Sequence, residues 1–104
     1  MKRSIKHGMT DLDRVRAAMD GAYRANVDRL SALAPRMAWT ADRAATMSIT
    51  VMAKTIRADF TVTQNEVLIE GKVPFLFSHL EGRIMTALSE QLEVWLAKVR
   101  NGAA

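Results

Sequence analysis

Apolar and polar positions follow two different periods along the chain. From Leu12 the apolar residues Val15, Met19, Tyr23, Val27, Leu30 and Leu33 recur at steps of three and four. That spacing predicts an amphipathic helix over about 11–33, ended by Pro35. Thr10, with Asp13 three residues later, reads as its N-cap, and Gly21 is placed on its solvent side. After Pro35 the period becomes two. Met37–Asp42, Met47–Lys54, Ile56–Thr63 and Glu66–Val73 each alternate apolar with polar residues, the signature of half-buried strands in a meander. Gln64-Asn65 is a tight-turn signal. Ser4–His7 reads as a short edge strand before Gly8. Pro74 ends the sheet, and the helical period returns from Phe75 to Arg100 with Asn101-Gly102 as its stop.

These elements predict an α+β fold. A single antiparallel sheet of four to five strands carries an N-terminal and a C-terminal helix on one face, in the order β-α-β-β-β-β-α. The sheet face expected to receive both helices is that of Ile49, Phe60 and Ile69. The stripe of the last helix is read as Phe77, Leu80, Ile84, Leu88, Leu92, Trp95 and Val99. Adding Leu76, Met85, Val94 and Leu96 widens its apolar arc to roughly 200°, about twice what one sheet face requires. This helix is therefore expected to touch something besides the sheet.

The 104 residues suit a single domain, 1–104. Cysteine is absent, so disulfide scaffolds, thiolate metal sites and cysteine nucleophiles are excluded. Fifteen Lys and Arg against eleven Asp and Glu leave a charge of +4. Arg16, Asp20, Arg24 and Asp28 alternate in sign at four-residue steps, the pattern of a solvated helix face rather than a basic stripe. No run of 18 apolar residues occurs, so no transmembrane helix is expected. The first residues have no apolar segment after Lys2, Arg3 and Lys6, and a cytoplasmic protein is expected.

Candidate chemistry is sparse. His7 and His79 are far apart and are read as exposed and inert. The Ser78-His79 neighbours point about 100° apart on a helix and do not form a dyad. Glu66 and Glu70 share the wet face of a strand without a third ligand. The glycines form no phosphate loop. No catalytic residue, cofactor or metal is expected. The seven methionines are read mainly as core, with Met52 and Met85 as candidates for an adaptable contact surface.

The stretch Val73-Pro74-Phe75-Leu76-Phe77-Ser78-His79-Leu80-Glu81-Gly82-Arg83-Ile84, following four short strands, resembles the polyhydroxyalkanoic acid system proteins, also described as polyhydroxyalkanoate granule-region proteins. Gly82-Arg83-Ile84 occupies the place of that family's Gly-Lys/Arg-Ile step into a final helix. Trp39 and Asp42 look like its Trp-bearing strand and acidic turn. Ala44-Ala45-Thr46 departs from it, where a tighter turn is usual. The resemblance covers about 3–100. It implies a non-enzymatic role in polyester storage metabolism, in the cytoplasm at granules, with a granule surface or a granule protein as partner.

Partner-binding residues are expected at Phe75, Leu76, Met85 and Leu96. Phe75 lies about 160° from Ile84 on the helical wheel, facing away from the core, and Leu76 lies at the edge of the stripe. The step reads either as an exposed wedge for a partner or as a lid in which Phe75 folds over the sheet edge. A homodimer is also expected. Helices of about 34 and 39 Å would overhang strands of ~28 Å, leaving Leu96 and Val99 uncovered. Two alternatives belong to other classes. One is a small basic α+β domain that binds RNA or the ribosome, testable by a steep salt dependence. The other is a ligand-holding helix-grip domain, for which little room is expected between sheet and helix, with Phe60 and Trp95 aimed inward.

Overall fold

The computed structural model describes residues 1–102. The chain forms β1 (Lys2–Lys6), α1 (Leu12–Asn26), β2 (Arg36–Ala41), β3 (Ala44–Val51), β4 (Lys54–Val62), β5 (Glu66–Lys72) and α2 (Glu81–Arg100). Short 3-10 turns at Ser31–Leu33 and Phe75–Leu80 precede β2 and α2. All strands are antiparallel in one five-stranded sheet of order β1-β5-β4-β3-β2. The α+β class and element order are those the periodicity predicts. The first strand does not join its sequence neighbour. β1 pairs with β5 through Ile5 opposite Val67, and the chain then crosses the sheet along α1 to reach the far edge at β2.

One sheet face supplies the core. Ala58, Phe60 and Val62 of β4, Val67 and Ile69 of β5 and Ile5 of β1 are buried with Val15, Ala18 and Met19 of α1. Met85, Leu92, Leu96 and Val99 of α2 complete the same cluster. The other face is wet and charged, as an antiparallel sheet allows. Arg57 Nε lies 3.2 Å from Asp59 Oδ1, and Thr46 Oγ1 donates to the same carboxylate at 3.1 Å. Glu70 accepts from Lys72 Nζ at 2.5 Å and from Lys2 Nζ at 3.3 Å. Lys72, and then Lys2, hold the Glu70 carboxyl below its ordinary range, so acidification through that range removes their support.

Several local expectations are corrected. The first helix is 15 residues long, not 23, because Asn26 Nδ2 turns back onto Ala22 O and the chain tightens into a 3-10 turn. Its N-cap is Asp11, not Thr10: Asp11 Oδ1 accepts the Asp13 N–H at 3.0 Å. The strand read to run through Lys54 instead ends at Val51. Met52 and Ala53 form a two-residue hairpin turn, with φ of 52° and 64°. Both residues sit in the left-handed region without the usual Asn-Gly, and Met52 is 79% exposed. Met52→Asn with Ala53→Gly is therefore expected to raise stability by about 1–2 kcal/mol, or roughly 5–10 °C in thermal unfolding. A lower melting temperature for the pair would show that the turn is not strained.

The helices run antiparallel, as three contacts along their length show. The guanidinium of Arg14 donates to Val99 O near one end. Gly21 faces Trp95 in the middle, and Asn26 Nδ2 donates to Gln91 Oε1 at 3.0 Å near the other end. Gly21 thus lies in the helix–helix contact rather than on the solvent side. A Cβ there would stand 2.7 Å from Trp95 Cε3 and Cζ3. Among the described residues no helix is long and apolar enough to cross a membrane.

Candidate functional site

α1 stops at Asn26, whereas α2 has 20 residues and extends past it. The first turns of α2 therefore have no helix beside them. Under them the sheet continues to the end of the β3–β4 hairpin. The space left between is a cavity of about 410 Å³. Ile84 and Leu88 of α2 and Met19 and Tyr23 of α1 form its helical sides, and Ile49, Ile56 and Phe60 form part of its sheet floor. Met37, Met47 and Met85 add three flexible thioethers. The expectation of little room is thus overturned. Trp95 does not fill the space because it lies across Gly21 at the helix crossing.

Polar groups occur where α1 ends. Arg29 Nη2 donates to Asn26 Oδ1 at 2.8 Å, and the Asn26 amide bridges on to Gln91. Tyr23 donates its hydroxyl hydrogen to Pro35 O at 3.1 Å, which ties α1 to the start of β2. At the same edge Trp39 Nε1 donates to Asp20 Oδ1 at 2.8 Å, and the Arg16 guanidinium stacks 4.2 Å from the Trp39 ring centre. Trp39 and Asp42, singled out in the sequence, therefore have different roles. Trp39 pins β2 to α1. Asp42 sits in the two-residue β2–β3 turn with Arg43.

The four residues expected to bind a partner divide into two pairs. Phe75 is 93% exposed and Leu76 58%. They stand on the 3-10 turn between Pro74 and the buried Phe77. Met85 and Leu96 are each 1% exposed and belong to the core, so the structure removes them from any surface. The stripe of α2 is rotated by about one position from the one expected: Met85, Leu92, Leu96 and Val99 are buried, while Ile84, Leu88 and Trp95 are half-buried. Leu96 and Val99 are covered by their own chain. With α1 at 15 residues, about 22 Å, the overhang that called for a homodimer is absent.

His7 is a further correction. It is buried rather than exposed. Its Nδ1 accepts the Met9 N–H at 3.0 Å, which leaves Nε2 to donate to Thr63 O at 2.9 Å. The ring thereby joins the end of β1 to the β4–β5 connection, and Arg100 Nη1 donates to His7 O at 3.1 Å from the end of α2. Both ring nitrogens are engaged, and the imidazole serves as a structural bridge. His79 is exposed, as expected. Among the described residues no group of three or more His, Asp or Glu converges as a metal site would require.

Comparison with protein-family models, with curated proteins and with solved structures finds no match to this chain.

Proposed function

We propose that this chain is a non-enzymatic binding protein of polyhydroxyalkanoate storage metabolism that docks on the granule surface, or on a granule protein, through Phe75 and Leu76. The reading rests on the resemblance of residues 73–84 to the granule-region proteins and on one structural observation. Two adjacent large apolar side chains project from a short turn whose neighbours hold it in place. Pro74 restricts the backbone before them, and Phe77, 6% exposed, anchors the turn in the core. Exposed apolar steps of this kind on a rigid support favour burial against another apolar surface. Covering both side chains would contribute roughly 3–5 kcal/mol before ordering costs. In this reading the protein acts in the cytoplasm at storage granules.

The test is co-sedimentation of the purified protein with polyhydroxyalkanoate granules. Phe75→Asp with Leu76→Asp is expected to abolish recovery with the granules while shifting the melting temperature by less than about 4 °C, because neither side chain is buried. Unchanged recovery of the double variant, or its unfolding at ambient temperature, would refute the docking role.

A further inference from the structure

The cavity under α2 is a half-open cleft rather than a sealed packing void. Protein interiors leave few voids larger than a water molecule. An apolar hole of about 150 Å³ already admits small hydrocarbons. At about 410 Å³ this one is within the range of ligand sites. Its walls are aliphatic and thioether groups that adapt to a flexible guest. Its charge is one-sided: no Asp or Glu lines it, and two arginines do. Arg57 is engaged by Asp59 on the opposite face of the sheet. Arg29 has no carboxylate partner among the described residues, and its guanidinium donates to Asn26 Oδ1. Asn26 and Gln91, hydrogen-bonded to each other, line the cavity beside it.

We propose that this cavity binds a single medium-length aliphatic chain ending in a carboxylate. The chain lies among Met47, Ile56, Ile84 and Leu88, and the carboxylate meets the free N–H groups of Arg29. At the looser packing of an organic liquid, the volume accommodates about ten carbons. The apolar walls supply affinity through area removed from water. Arg29 supplies the preference for an anionic end, modest because the guanidinium remains in contact with solvent. This binding is independent of granule docking, since Phe75 and Leu76 are not among the residues that line the cavity.

Isothermal titration calorimetry with decanoate and with decanol tests it on the full chain. Decanoate is expected to bind at one molecule per chain and to raise the melting temperature. Arg29→Gln should weaken decanoate roughly three- to tenfold and leave decanol unchanged. Ala22→Phe, which places a ring in the cavity from α1, should abolish binding of both without lowering the melting temperature. Should Ala22→Phe fail to fold, the Arg29 variant still decides, because Arg29 is exposed. The proposal is overturned if neither compound binds up to its solubility limit, if several molecules bind per chain, or if Arg29→Gln weakens acid and alcohol equally. A dimer in solution whose formation decanoate does not oppose, with no decanoate bound, would mean that a second copy covers the mouth, and would also overturn it.

Discussion

Leu96→Ala is expected to destabilise the protein by about 2–5 kcal/mol, a fall of roughly 10–30 °C in melting temperature. Leu96 is among the largest fully buried side chains and shares its cluster with Val15, Ala18 and Val67. Removing three carbons leaves a hole that the sheet and the two helices packed on it cannot close by small shifts, so the cavity cost adds to the lost transfer energy. Leu96→Asp introduces a carboxylate with no buried cation to receive it, and should leave no cooperative unfolding transition at ambient temperature. Circular dichroism through a thermal ramp measures both. If Leu96→Asp instead melts within a few degrees of the parent, Leu96 is not core, and the packing of α2 described above is wrong.

The second large effect is at the helix crossing. Gly21→Val should lower the melting temperature by roughly 10–25 °C, although valine is the better helix former by a few tenths of a kcal/mol. Two effects oppose each other, and their sizes decide the sign. Relief of glycine's backbone entropy is worth well under 1 kcal/mol here. Against it stands an overlap in which even a first carbon would lie 2.7 Å from two Trp95 ring atoms. Forced overpacking of this kind costs about 1–3 kcal/mol or more, and a β-branched side chain adds two methyl groups to it. The Trp95 ring lies against Gly21 on one side, with Lys98 Nζ 4.5 Å from its centre, so any retreat of the ring gives up that cation contact. The mechanism makes a second demand. In a Trp95→Leu background the same Gly21→Val change should cost less by at least about 1 kcal/mol, since the opposing ring is gone. Equal costs in both backgrounds would locate the damage elsewhere.

The same residue illustrates where sequence reading stops. A wheel drawn for α1 alone places Gly21 opposite the apolar stripe, where glycine is merely tolerated. The wheel knows one partner surface, the sheet. α1 packs on two, the sheet and α2, and Gly21 is on the side that meets Trp95. The rotated stripe of α2 has the same cause. Its apolar arc is wide because one side packs in the core while Ile84 and Leu88 overlook the cavity and Trp95 crosses α1. Periodicity reports that an arc is apolar. It does not say which part of the arc receives which neighbour.

Turn chemistry and the histidine show two other limits. Met52-Ala53 carries no glycine or asparagine, so the end of β3 is silent in the sequence, and alternation runs unbroken through it. Longer-range pairing of β3 with β4 imposes the turn against local preference. His7, in a polar stretch after an edge strand, has no local signal for burial. Its partners, Met9 N and Thr63 O, include one 56 residues away that only the closure of β1 on β5 brings near.

By itself the sequence determined the α+β class, the order of elements and the single wet sheet face, while it left Phe75 open between an exposed step and a lid over the sheet edge, which the 93% exposure of Phe75 decides. The first three follow from period, proline and polarity within a dozen residues of each position, and such local rules act before the chain is folded. Tertiary structure alone decided the burial of Met85, Leu96 and His7, the close helix crossing at Gly21, and the cavity with Arg29 at its edge. The helix crossing and the cavity depend on where two helices of unequal length end relative to each other and to the sheet, and the burial of His7 depends on the closure of β1 on β5. The helix pairing is set by contacts such as Asn26 with Gln91 and Arg14 with Val99, 65 and 85 positions apart, and no local pattern encodes it.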